Sequence, residues 1–165
     1  MVVWAITGGA MQTAFLLFLA AGVSDAVDGF IAKRFGMTSE LGSYLDPLAD
    51  KALIVSIYVA LGIVGAIPRW LVILVVSRDI MIVGAVMLSW LLGKPVTVKP
   101  HLASKLNTAA QIVFACLVLA ALGFQLNVGY VQTAAQMAVA ALTLLSVGIY
   151  LVEWVRHMNP AEPSS

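Results

Sequence analysis

Apolar stretches long enough to cross a lipid bilayer dominate this chain, and nothing else constrains its fold as strongly. A helix needs about twenty mostly apolar residues to span the ~30 Å hydrocarbon layer, where every backbone polar group must be satisfied internally. Trp70–Leu92, Leu106–Leu126 and Val131–Val155 each have that length. Ala52–Ile67 reaches it if its helix begins near Glu40, and a fifth stretch, Met11 to about Lys33, is apolar through Val23 and then carries Asp25 and Asp28. Gly8-Gly9, Phe35-Gly36, Pro68, Gly93-Lys94-Pro95 with Pro100, and Asn127-Val128-Gly129 separate the stretches. The composition agrees: 62% hydrophobic, 10% charged and a mean hydropathy of +1.02. Soluble domains carry about a quarter of their residues as charges, so this chain lacks the polar surface to cover a soluble core. A soluble enzyme, a disordered linker and a nucleic-acid-binding protein are excluded.

The expected architecture is all-α: a polytopic membrane helical bundle of five spans, with the stub of a sixth. There is no internal repeat or flexible linker, so residues 1–158 form one transmembrane domain, followed by a disordered tail at 159–165 that carries two prolines and two serines. Met1–Ile6 reads as the last turns of a first helix whose beginning is absent, because neither a basic leader nor a cleavage site accompanies it. Lys33, Arg34, Lys94, Lys99 and Arg156 fall on one side of the alternating spans and Arg69 on the other, which puts the basic side in the cytoplasm. Cys116 is the single cysteine and can form neither an intrachain disulfide nor a thiolate cage.

The net charge of +1 conceals an uneven distribution. Asp25, Asp28, Glu40, Asp46 and Asp50, five of the eight acids, crowd into 26 residues, where chance would place about one. Asp25 and Asp28 stand at i,i+3, and Asp46 and Asp50 at i,i+4, so each pair shares a helix face. The break after Phe35 lets the two helices run antiparallel, with the two pairs facing each other. An aspartate at the centre of a span costs about 2.5–3.5 kcal/mol, so four in lipid would cost roughly 10–14 kcal/mol. They therefore line a wet cavity or bind cations, and four carboxylates without His or Cys suit Mg²⁺ or Mn²⁺ rather than zinc. Gly29 in a helix interior suggests close helix packing or close approach of a ligand. Lys33 and Arg34 set two cations a turn beyond the aspartates, and a metal with fixed cations is a means of holding a diphosphate. Pro47 stands between Asp46 and Asp50. It either occupies the first turn of a helix capped by Asp46 or kinks a longer helix starting near Thr38, Ser39 and Glu40.

From Asp25 to Asp50 the chain reads Asp-x2-Asp-Gly-x2-Ala-Lys-x8-Gly-x3-Asp-x3-Asp, which resembles the signature of the CDP-alcohol phosphatidyltransferases. Seven of its eight fixed positions match, Lys33 standing where the family has arginine. The resemblance implies a membrane transferase that moves a phosphatidyl group from CDP-diacylglycerol to an alcohol and releases CMP. It gives Asp25, Asp28, Asp46 and Asp50 the role of holding a two-metal centre of Mg²⁺ or Mn²⁺, with Asp50 also the general base on the acceptor hydroxyl. Gly29 and Ala32 would admit the nucleotide, and Lys33 and Ser39 would contact the diphosphate. A homodimer in the inner membrane with its site facing the cytoplasm is expected.

Arg78 and Asp79 lie inside a span and, as neighbours, point about 100° apart, so they are not expected simply to neutralise each other; each is a functional candidate or, equally, paired with another helix. With Lys99, Ser104, Lys105, Asn107, Thr108 and Gln111 they suggest a site for an anionic acceptor, Arg78, Lys99 and Lys105 being the candidate ligands; for the loop part, a solvated loop with an N-capped helix is the alternative. The stretch looks like the cardiolipin synthases of the family, whose acceptor is phosphatidylglycerol, with glycerol 3-phosphate as the alternative acceptor. A cation transporter is the rival from another class. It would account for the carboxylates but not for Gly29, Ala32 and the adjacent Lys33-Arg34.

Overall fold

The computed structural model describes the backbone of residues 1–35, 40–91 and 102–158, and the side chains within these except at 25–26, 28–35, 40–50, 85–91, 102–103 and 156–158. The described residues form six helices and no strand: α1 (Val2–Thr7), α2 (Met11–Phe35), α3 (Glu40–Ile63), α4 (Arg69–Leu91), α5 (Leu102–Gly123) and α6 (Gly129–Met158). Two segments among them are long and apolar enough to cross a bilayer, Ser104–Gly123 in α5 and Gly129–Val155 in α6. The apolar segments described in α2 and α3, Met11–Ser24 and Lys51–Ile63, are shorter. The tail expected at 159–165 lies outside the described residues.

The breakers end helices for identifiable reasons. Gly9 takes φ +78°, a left-handed conformation that costs glycine nothing, and turns the chain from α1 into α2. Gly65, at φ +74°, does the same after α3, and the carbonyl of Pro68 accepts the backbone N–H of Leu71 to open α4. Val128 plays the corresponding part at the start of α6, accepting from the N–H of Gln132 at 2.7 Å. Of the two alternatives for Pro47, a helix capped by Asp46 does not hold: α3 starts at Glu40 and includes Pro47 in its interior.

α5 is the centre of the bundle and packs against α2, α3 and α6, while α4 bridges α3 and α6. The core draws Ala14 and Phe18 from α2, Ile57, Tyr58 and Leu61 from α3, Leu71 and Val75 from α4, and Phe114, Val118 and Leu119 from α5. Short as it is, α1 packs on α2 and α3 and buries Val2, Ala5 and Ile6 in the same core. The outer surface is apolar as well, with Leu19 and Val23 on α2, Ile73 and Ile80 on α4, and Leu144, Leu151 and Val155 on α6 all exposed. An apolar perimeter on this scale is unfavourable in water and favourable in lipid.

One end of the bundle collects the turn between α3 and α4, the start of α2 and the turn between α5 and α6. Phe15 meets Phe124 edge to face at 5.7 Å, and Gln132 Nε2 donates to the carbonyl of Ala66 at 3.2 Å. A Cβ at Gly123 would stand 3.1 Å from the backbone N and Cα of Gln12, so the end of α5 and the start of α2 touch backbone to backbone. Gly123→Val is therefore expected to lower the thermal unfolding temperature of the detergent-purified chain, at an overpacking cost of about 1–3 kcal/mol. An unchanged unfolding temperature would show that this contact is slack.

Candidate functional site

At the opposite end, the two aspartate pairs occupy consecutive helices. Asp25 and Asp28 are on α2, and Asp46 and Asp50 on α3, with four residues, 36–39, between the helices. A connection that short cannot return along a helix of 24 residues, so the two cannot pack side by side in parallel. Counted from the connection, the pairs stand at matching heights: Asp25 ten residues before Phe35 and Asp50 ten after Glu40, Asp28 seven before and Asp46 six after. Gly29, Ala32 and Lys33 are on the same stretch of α2. The side chains of these residues, and Ser39 and Lys99 entirely, lie outside the described residues. The donor set, four carboxylates in two helical pairs, fits hard divalent cations, which take oxygen ligands and need their charge matched.

The described side chains form a second polar group in the same half of the bundle. Arg78 on α4 is 1% exposed, and four of its five N–H groups are committed. Nε and Nη2 both donate to Ser146 Oγ of α6, at 3.3 and 2.9 Å; Nη2 also donates to Ser104 Oγ of α5 at 2.7 Å; Nη1 donates to Asp79 Oδ1. The same Asp79 oxygen accepts from Lys51 Nζ of α3 at 3.3 Å. A single chain of polar contacts thus ties α3, α4, α5 and α6 together, with two cations on one buried carboxylate.

This corrects the sequence expectation for Arg78 and Asp79. Their Cα–Cβ bonds diverge, but the arginine stem is long enough to bring the guanidinium back to its neighbour, so backbone direction does not decide whether the charges meet. Neutralisation within the pair is nevertheless incomplete as a description, because Lys51 adds a second cation to the same carboxylate.

Asn107 and Gln111, one turn apart on α5, are 0% and 1% exposed, so the solvated-loop alternative does not hold for them. Thr143 Oγ1 is 3.0 Å from Asn107 Oδ1, and Tyr58 Oη donates to the carbonyl of Gln111 at 3.1 Å. The side-chain nitrogens of Asn107 and Gln111 have no partner among the described residues. Lys105, next to Ser104, is exposed on α5. Sequence reasoning missed Lys51, Thr143 and Ser146. The signal for Lys51 was its place directly after Asp50; for the other two it was an i,i+3 pair of hydroxyls in an otherwise apolar helix.

The sequence pattern of the CDP-alcohol phosphatidyltransferases matches residues 1–147. The chain belongs to this family. Family members are membrane-associated transferases that generally use a divalent metal, and their substrates are CDP-diacylglycerol and alcohols such as phosphatidylglycerol or glycerol 3-phosphate. A probable phosphatidylglycerophosphate synthase of Mycobacterium tuberculosis is 32% identical over 138 residues, covering 84% of this chain and 62% of the relative. A human cardiolipin synthase (CMP-forming) is 38% identical over 121 residues, covering 64% and 40%. The Bacillus subtilis CDP-diacylglycerol–glycerol-3-phosphate 3-phosphatidyltransferase is 34% identical over 98 residues, covering 59% and 50%. The chain therefore spans less than two thirds of the length of these relatives. The two named activities differ in acceptor, and the comparisons favour neither.

Within this family member, the hydroxyl of Ser146 is the acceptor for two of the N–H groups of Arg78. Ser146→Ala is expected to destabilise the chain by about 1–3 kcal/mol, the cost of leaving buried donors unmet, and Ser146→Thr to stay near wild type. Thermal unfolding in detergent checks both, and equal unfolding temperatures for all three proteins would contradict the assignment.

Proposed function

We propose that this chain transfers a phosphatidyl group from CDP-diacylglycerol to the hydroxyl of an anionic glycerol-type acceptor and releases CMP, with phosphatidylglycerol as acceptor and cardiolipin as product. The observation that carries this reading is the aspartate motif, set at matching heights on α2 and α3 within a chain of this family. Glycerol 3-phosphate is the second reading, named in the activity of the B. subtilis relative as cardiolipin is in that of the human one. α2 to α6 are taken as five spans of a homodimer in the inner membrane, with the basic side and the site facing the cytoplasm.

In this reading Asp25, Asp28, Asp46 and Asp50 hold two Mg²⁺ or Mn²⁺ ions. Such ions supply positive charge that neutralises the diphosphate and its leaving oxygen. The remaining work belongs to the protein. Gly29 and Ala32 leave room on α2 for the nucleotide, and Lys33 and Ser39 bind the diphosphate. The acceptor oxygen bonds to the phosphorus that carries the diacylglycerol, the bond from that phosphorus to the CMP oxygen breaks, and Asp50 takes the acceptor's proton. Arg78, Lys99 and Lys105 receive the anionic group of the acceptor. One N–H of Arg78 has no partner among the described residues, and Lys105 is next to Ser104, a partner of Arg78.

The test supplies the purified chain with CDP-diacylglycerol, Mg²⁺ or Mn²⁺, and either phosphatidylglycerol or glycerol 3-phosphate, then measures CMP and identifies the lipid formed. CMP release that stops on chelation and yields cardiolipin is the expected result; phosphatidylglycerophosphate would select the second acceptor, and no metal-dependent CMP with either would reject the reading. Asp50→Asn is expected to cut turnover at least about 100-fold with the protein still folded, as loss of a general base does.

A further inference from the structure

Lys51 occupies an awkward position. It follows Asp50 directly on α3 and is five residues beyond Asp46, so a flexible ammonium group of ordinary lysine length starts next to one of the four carboxylates proposed to hold metal and about 7.5 Å along the helix from a second. Free to move, it would pair with them, since a cation within a few ångströms of a carboxylate in a poorly solvated site gains several kcal/mol of attraction. Such a pairing opposes divalent cations in two ways: it occupies oxygen atoms, and it adds positive charge where more is to be bound.

Among the described residues, the ammonium group meets its acceptor on another helix. Its Nζ is 3.3 Å from Asp79 Oδ1, on the neighbouring helix. Asp79 is itself held in place, because the same oxygen accepts from Arg78, whose guanidinium is fixed in turn by Ser146 and Ser104. Arg78 and Asp79 are 1% and 7% exposed, whereas the Lys51 side chain is 29% exposed. The buried partner is thus the anchored one, and the exposed partner is the one that can swing.

We propose that Asp79 is a positioning residue that holds the Lys51 ammonium on α4 and so keeps it off the carboxylates of Asp46 and Asp50. The inference rests on the metal-site reading given above. On this account the Lys51–Asp79 ion pair belongs to the metal chemistry, because it sets the charge presented to the metal from the residue next to Asp50. Its signature is epistasis. Loss of Asp79 harms metal binding only while Lys51 is present to be released.

The test titrates the full-length, detergent-purified chain with Mn²⁺ and reads free Mn²⁺ by electron paramagnetic resonance, which requires no turnover. Asp79→Asn is expected to weaken Mn²⁺ binding about tenfold, and adding Lys51→Met to the same chain is expected to restore the affinity to within about twofold of wild type. Asp79→Asn leaves Arg78 buried without its counter-charge and can prevent folding; Arg78→Met with Asp79→Asn removes both buried charges, frees Lys51 equally, and is expected to show the same loss and the same rescue by Lys51→Met. Unchanged affinity in folded Asp79→Asn or in the Arg78→Met/Asp79→Asn chain overturns the proposal. So does a loss that persists with Lys51→Met, which would mean that the helices had shifted. A wild-type chain that takes up no Mn²⁺, or takes it up undiminished with Asp50→Asn, rejects the metal-site reading itself and this inference with it.

Discussion

A guanidinium group cannot sit in the middle of an apolar bundle unless nearly every N–H it carries finds an oxygen, and the rest of this structure is arranged around that requirement at Arg78. Burying an ion costs several kcal/mol even after the surroundings relax, and the cost is met only by good geometry and full hydrogen bonding. Here the acceptors come from three helices: Asp79 from the helix of Arg78 itself, Ser104 from α5 and Ser146 from α6. Packing of Phe114, Val118 and Leu119 against α3 and its neighbours is non-directional and would tolerate rotation of the helices. The polar contacts would not. They fix how α4, α5 and α6 are turned about their axes, and through Lys51 they extend to α3.

That arrangement is tied to one of the two helices that carry the aspartate motif. Asp46 and Asp50 are on the helix that the Asp79 carboxylate grips at Lys51, while Asp25 and Asp28 are on a helix whose other end is pressed onto α5 at Gly123. One end of the bundle is closed by tight turns, and the aspartate motif lies toward the other.

Much of this was legible in the sequence, and the failures have physical causes. Helix ends at Gly8-Gly9, Pro68 and Asn127–Gly129 could be read directly, because each break rests on local backbone chemistry that no tertiary contact overrides. The alternatives at Pro47 could not be separated, since proline is compatible with a helix start and with a kinked interior, and only the surrounding packing chooses. The divergence of Arg78 and Asp79 was inferred from Cα–Cβ directions, a good guide for short side chains and a poor one for arginine. Lys51 escaped notice because its partner lies 28 residues away on another helix. Thr143 and Ser146 escaped because a hydroxyl in an apolar helix commonly bonds back to its own chain, as Thr143 also does to the carbonyl of Val139.

The central claim is that the aspartates of α2 and α3 form one metal centre, and anomalous scattering tests it most directly. A crystal of the chain grown with Mn²⁺ and measured at the manganese absorption edge should show anomalous density bounded by oxygens of Asp25, Asp28, Asp46 and Asp50, at the roughly 2.0–2.2 Å expected of small divalent cations. Ordered aspartates without such density between them, or manganese held only elsewhere on the chain, would contradict the account.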